Sequence, residues 1–366
     1  MKYTSEKIKR IMDKIGSTDF SLSEETLKRL NNLTKPLNSL GRLEEIAKQV
    51  VSITGKKNPS TEKKVIFTLA GDHGVTEEGV SAYPKEVTAQ MVYNFVRGGA
   101  GINVLARQGN IRIVVADIGV TEKIGPVKPC DSKTHQSACL KIKKVSAGTK
   151  NFTRGPAMTM DEAVASIEAG IDLVEEELRE GTVDLIGTGE MGIGNTTPAS
   201  AITAVITGNP VESVTGRGTG IDHSTFKRKV EIIEKAIEIN RPDPSDGLDV
   251  LSKIGGLEIG GLVGVILASA SCKIPVVIDG FISGAAALIA AKIKPEVKDY
   301  LIAGHCSYEP GHRVQLIWLG KSPLLDLDMR LGEGTGAALA MHIVDASIRI
   351  LTEMATFESA GVSKSE

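Results

Sequence analysis

The sequence predicts an α/β fold, a Rossmann-like and mostly parallel sheet with helices on both faces, joined to a small helical domain built from the N- and C-terminal segments. Three observations predict it. Short runs rich in β-branched residues recur along the chain, stretches with apolar residues every three or four positions separate them, and the glycines gather where strands give way to helices.

The strand candidates are Val65 to Leu69, Ile111 to Asp117, Val183 to Ile186, Ile274 to Ile278, Tyr300 to Ala303 and Val314 to Trp318. Between them, Asp161 to Arg179 and Phe226 to Asn240 carry helical spacing. Strands alternating with helices bury both faces of a parallel sheet, and ligands then bind beyond the carboxyl ends of the strands. Such loops need glycine, and 39 of the 366 residues are glycine, above the usual share of about 7%. Residues 1–60 read as helices with polar breaks, and residues 335–366 read as a helix and a polar tail. Together they are expected to form the small domain, with residues 61–334 as the large α/β domain. The segment Thr121 to Lys150 is polar and irregular and reads as an extended loop or arm.

A net charge of −2 and the absence of basic runs interleaved with aromatics argue against nucleic acid as a partner. The first segment alternates charged and apolar residues and lacks the apolar centre of a secretory signal. Ile259 to Ala291, the most apolar stretch, is interrupted by Lys273, Pro275 and Asp279, so no membrane span is expected. Cys130, Cys139, Cys272 and Cys306 show no CxxC spacing and read as reduced thiols of a cytoplasmic protein.

Four loops offer chemistry. Gly187 to Gly192 matches GxGxxG and leads through Ile193, Asn195, Thr196 and Thr197 towards a helix. Glycine backbone N–H groups and a helix start suit a phosphate, and they equally suit a tight connection without a ligand. Thr215 to Asp222 adds Arg217 among glycines, with Lys229 following; either cation can neutralise a phosphate or simply face solvent. Gly304 to Arg313 offers hydroxyl and backbone donors around Cys306, Ser307 and Tyr308. In Arg330 to Ala337, Glu333 stands between glycines that leave it unobstructed. An apolar setting would raise its pKa and make it a better proton acceptor, while an acid near a helix start is also an ordinary cap. Upstream, Asp72 and His73 follow a strand and suit hydrogen bonds that order the loops, and Tyr83, Gln90 and Met91 offer a flat apolar lining. Six histidines without HxH or HExxH spacing give a metal little support.

The strings TKPLNSLGRLE, GDHGV, GGAGINVLARQ, NFTRGPAMT, GEMGIGNTTPASA, GRGTG, EPGHR and RLGEGTGAALA resemble the nicotinate-nucleotide:dimethylbenzimidazole phosphoribosyltransferases nearly end to end. The resemblance implies transfer of phosphoribose from nicotinate mononucleotide to 5,6-dimethylbenzimidazole, with inversion at the anomeric carbon and no cofactor. It also implies Glu333 as general base and Glu190 as a second active-site carboxylate. The base is expected against Tyr83, Gln90, Met91 and Leu331. The phosphate and ribose are expected at Met191, Gly192, Ile193, Arg217, Gly218, Thr219, Lys229, Cys306, Ser307 and Tyr308. The family is homodimeric, and the Thr121 to Lys150 arm is a candidate for crossing to the partner. Some members carry a serine where this chain has Tyr83, which bears on the base accepted.

Two rivals follow from the residues alone. One is a nicotinamide-dependent oxidoreductase, with Glu212 about 20 residues beyond the glycine motif; it leaves Arg217 and Glu333 without a task. The other is a catalytically silent nucleotide-binding protein, against which Glu333 itself argues.

Overall fold

Among the described residues six strands, all parallel, form one sheet in the order β3-β2-β1-β4-β5-β6, where β1 is Lys64–Gly71, β2 Ile111–Gly119, β3 Cys139–Ile142, β4 Leu185–Met191, β5 Val276–Ile278 and β6 Leu301–Ala303. The computed structural model describes residues 4–125, 138–218 and 220–363. The chain winds outwards from β1 to β3, returns to the other side of β1 at β4, and winds outwards again to β6. Order therefore reverses between β1 and β4, the topological switch point at which doubly wound sheets bind ligands.

Alternation along the strands assigns the two faces. Val65, Phe67 and Leu69 of β1 join Val114, Ala116 and Ile118 of β2 in one core, under the helices Met160–Glu180, Leu257–Ser271 and Phe281–Ile293. Ile66 and Ala70 join Ile113 and Val115 in the other, under Arg42–Thr54, Val87–Arg97, Gly101–Gln108 and Thr335–Glu353. The period of two puts successive side chains on opposite faces, so a sheet covered on both sides is apolar throughout. The two ends of the chain meet on the second face: Leu33 bridges Thr356, and Arg29 donates to the Thr352 carbonyl. Among the described residues no helix is long and apolar enough to cross a membrane.

The helices Met160–Glu180 and Leu257–Ser271 approach backbone to backbone. A Cβ on Gly264 would lie 1.9 Å from the Ile167 carbonyl oxygen, and one on Gly170 equally close to that of Gly261. Backbone cannot swing aside as a side chain can. Gly264→Ala is therefore expected to cost about 1–3 kcal/mol through overpacking, read as a lowered Tm. An unchanged Tm would refute this contact.

Four expectations need correction. Val314 to Trp318 is not a strand but part of the helix Pro310–Leu319; proline at the first helical position starts it, and a short, largely apolar run does not distinguish strand from helix. The strand expected at Val183 to Ile186 begins at Leu185 and continues through Gly187 and Gly189 to Met191, so most of the supposed glycine loop is central strand. Thr121 to Lys150 is not all loop, because β3 lies in it as an edge strand paired with β2; Pro126, Pro129 and Cys130 fall outside the described residues. Cys139 is disulfide-bonded rather than reduced, while Cys272 and Cys306 are free. Absence of a CxxC spacing does not exclude a disulfide at other separations.

Candidate active site

The loops that leave the carboxyl edge of β1, β4, β5 and β6 contribute to one site. Glu190 is the penultimate residue of β4, and the Glu333 turn lies against the same strand. A Cβ on Gly189 would sit 2.4 Å from the Glu333 carbonyl oxygen, and one on Gly332 would sit 2.2 Å from Glu190 Oε1. The glycines of the GxGxxG string thus serve close packing, not a phosphate-cradling turn: Gly187 lies against Met341 and Ala337, and Gly189 against the Glu333 backbone. The Glu333 N–H donates to the Glu190 carbonyl at 3.2 Å, and Thr68 Oγ1 donates to the Glu333 carbonyl at 2.9 Å. The two acidic residues are locked side by side.

Both are buried. Glu333 Oε2 accepts from the Ile102 N–H at 3.0 Å, at the start of the helix Gly101–Gln108. It does cap a helix, though not the one it precedes. Burial raises its pKa, the Ile102 and Gly101 N–H groups oppose this, and the nearby Asp279 charge adds to the rise. Glu190 is pushed up to about 8, first by burial and further by Glu258, Asp279 and Glu333, against the Asn195 amide, which donates to it. A raised folded-state pKa means that Glu190 favours folding below its unfolded value near 4.5 and loses that contribution as pH rises to about 8. The isostere Glu190→Gln should therefore match the parent Tm at about pH 4 and exceed it at about pH 8.5 by several degrees, the sign and order of magnitude (a few kcal/mol) that such a rise implies. A difference independent of pH in thermal melts would contradict this.

The anion-binding candidates converge a short way along. Lys229, on the helix His223–Asn240, is fully buried; its Nζ donates to Thr196 Oγ1 at 2.7 Å and lies 3.4 Å from the Gly216 carbonyl. Burial lowers its pKa to about 8, against the attraction of Glu309. Glu309 Oε1 accepts from the Gly218 N–H at 2.9 Å. Ser307 is buried, with its hydroxyl accepting from Glu309 N–H and its own N–H donating to His312 Nδ1. Asn195 and Thr196, adjacent in the chain, tie the two halves together, one on Glu190 and the other on Lys229.

Other predicted residues are placed as follows. Ile193 N–H donates to Thr88 Oγ1, and Gly192 packs on the Gly71 carbonyl. Met91 and Met191 pack, half-buried, against the same core. Leu331 stands over Gly101 beside Glu333, largely exposed. Tyr83 and Gln90 are exposed, and neither side chain hydrogen-bonds to the carboxylate pair. Arg217 is exposed and not at Lys229, its guanidinium donating to the Ile221 carbonyl over the Phe226 ring. Tyr308 is exposed beneath the Arg330 guanidinium. Cys306 is buried, and burial raises its thiol pKa, as for a packing cysteine. Thr219 lies outside the described residues.

Sequence reasoning misses Glu258 and Asp279. His73 Nε2 lies 2.7 Å from Glu258 Oε1, both fully buried, while Asp72 accepts from the Thr121 N–H. Glu258 is the sole acid in the apolar helix Leu257–Ser271, and an acid in a helix buried all round is rare enough to be a signal.

A parallel sheet with this switch point, buried acids and a buried lysine defines a ligand site of a doubly wound α/β protein. Comparison with known proteins narrows the class. A family model described as "Phosphoribosyltransferase" (DBI_PRT) matches residues 15–362. The nicotinate-nucleotide:dimethylbenzimidazole phosphoribosyltransferase of Geobacter sulfurreducens is 56% identical over 97% of this chain and 98% of its own length; that of Desulforudis audaxviator is 54% identical over 98% and 99%. The crystal structure of CobT from Thermus thermophilus is similar with a TM-score of 0.88 at 43% identity, covering 94% of this chain and 99% of that one. The chain belongs to the nicotinate-nucleotide:dimethylbenzimidazole phosphoribosyltransferase family.

Proposed function

We propose that this chain transfers the phosphoribosyl group of nicotinate mononucleotide to 5,6-dimethylbenzimidazole or a related lower-ligand base, giving α-ribazole 5′-phosphate and nicotinate. The observation that carries the proposal is the tether between two unlike sites. Asn195 and Thr196 link the Glu190 carboxylate, whose residue is bonded through its backbone to Glu333, to the buried ammonium of Lys229, an arrangement suited to a nucleotide with its phosphate at one end and its reacting carbon at the other.

In the proposed reaction the C1′ to pyridinium-nitrogen bond breaks, and nicotinate leaves with the electron pair as a ring that has lost its positive charge. One benzimidazole nitrogen attacks C1′ while Glu333 takes the proton from the other. Glu190, held largely protonated by burial, stands beside the sugar, where the positive charge that develops favours its ionised form. Tyr83, Gln90, Met91 and Leu331 are proposed to border the base, and Met191, Gly192, Ile193, Arg217, Gly218, Thr219, Lys229, Cys306, Ser307 and Tyr308 to bind ribose and phosphate. Position, a base and a water-poor pocket supply the rate enhancement.

We also propose a cytoplasmic homodimer in which a second copy closes the pocket, a reading supported by the exposure of Tyr83, Tyr308 and Leu331, at 55%, 63% and 59%. The small domain is proposed to comprise residues 1–60 and 335–366. Incubation with nicotinate mononucleotide and dimethylbenzimidazole, followed by chromatography, tests the activity. Formation of nicotinate and α-ribazole 5′-phosphate in equal amounts is expected, and absence of both would overturn the proposal.

A further inference from the structure

Gly332, Glu333 and Gly334 have φ of 78°, 64° and 98°, three consecutive residues in the left-handed region. Glycine adopts that region freely, but Glu333 does so at a cost, so the surroundings must hold it there. The hydrogen bonds from Thr68 and to Glu190 fix the peptide groups of Glu333 itself. The exit of the turn is fixed from another strand. Asp279 follows β5 directly and is buried; its Oδ2 accepts from the Gly334 N–H at 3.2 Å and its Oδ1 from the Ala337 N–H at 2.9 Å. Its own N–H donates to Thr188 Oγ1 on β4.

We propose that Asp279 is a positioning residue for the transfer reaction, its carboxylate clamping the Gly332–Gly334 turn to the first turn of the helix Thr335–Glu353 and so fixing where the Glu333 carboxylate stands. The proposal rests on the reading of Glu333 as general base. An ordinary helix start is capped by the residue that precedes it. Here that position is Gly334, which has no side chain, and the cap arrives from a residue 55 positions away in the chain. Both Asp279 oxygens face N–H donors, so an amide in its place turns an NH₂ group against one of them. The helix N-terminus favours the negative charge that this arrangement buries.

The same charge faces Glu333 and opposes its ionisation. The groups surrounding the pair are few. Glu333 meets Asp279, Glu190 and the N–H groups of Gly101 and Ile102; Asp279 meets His305, whose Nε2 is 3.9 Å away; Glu190 meets Glu258 and Asn195; and Glu258 meets His73. Loss of the Asp279 charge therefore lowers the pKa of Glu333. Activity that needs Glu333 ionised then survives to lower pH.

The test compares Asp279→Asn, Glu333→Gln and the double variant in steady-state assays across pH. Asp279→Asn is expected to lower kcat by about 10- to 100-fold, as for a small misplacement of a reacting group. KM for nicotinate mononucleotide should stay within about threefold, because the clamp does not touch Lys229. The acid limb of kcat/KM should move to lower pH, which a partly unfolded enzyme would not produce. In the Glu333→Gln background the added Asp279→Asn should cost nothing more, since the two act as a unit. Losses that multiply in the double variant, or a kcat and pH profile equal to those of the parent, would overturn the proposal. Full activity of Glu333→Gln alone would remove the general-base reading and the proposal with it. Should Asp279→Asn not fold, Thr188→Val, which releases the Asp279 backbone and keeps its charge, decides by turnover: a lower kcat with KM for nicotinate mononucleotide within about threefold and no further loss in the Glu333→Gln background supports the clamp, and parental values refute it.

Discussion

Replacing Glu333 by glutamine is expected to lower turnover by about 10²–10⁴, the range for loss of a positioned general base. Glutamine keeps the length of the side chain and an oxygen to accept from Ile102 N–H, so the turn and the helix start it caps should persist. What it lacks is a site for the proton of the attacking base. KM for nicotinate mononucleotide should change little, because Lys229 and Gly218 are held by Thr196 and Glu309 instead. The parent enzyme should lose activity as pH falls through the raised pKa of Glu333, and Glu333→Gln should lack that limb. Initial rates of nicotinate release across a pH series that spans the limb measure both. A variant as active as the parent would remove Glu333 from its role.

Lys229→Met is expected to act on the other end of the substrate, raising KM for nicotinate mononucleotide by about 10- to 100-fold, the worth of one charge-assisted hydrogen bond of about 1.5–3 kcal/mol. Methionine fills much the same volume without the charge. It leaves Glu309, pushed up by burial and held down first by Lys229, beside no buried ammonium, so the loop Thr215 to Gly218 should loosen too. An unchanged KM would mean that the phosphate lies elsewhere, while the role of Glu333 would be untouched.

The fold was legible because its signals are local. Runs rich in β-branched residues mark β1 and β2, and the helical period of Asp161 to Arg179 is unbroken. The failures lie where local and tertiary signals conflict. Gly187 and Gly189 look like loop residues, yet they are strand because the Glu333 turn and the helix behind it must pack on them. Val314 to Trp318 looks like a strand, yet Pro310 and the burial of Gly311, Gln315, Leu316 and Leu319 on one side make it helical. Within the site, Glu333 and Lys229 could be singled out by the glycine-rich loops they belong to or follow. Asp279 is visible in the sequence only as an interruption of an apolar stretch, because the atoms it serves, on Gly334 and Ala337, are distant in sequence and are backbone.

The buried ammonium of Lys229 has a thermodynamic consequence. With a pKa lowered to about 8 by burial, Lys229 is partly uncharged near that pH. A phosphate dianion arriving there draws the pKa upwards, so binding takes up a proton from the medium. Calorimetric heats measured near that pH in buffers of different ionisation enthalpy should then differ in proportion to that fractional uptake, and Lys229→Met should abolish the dependence.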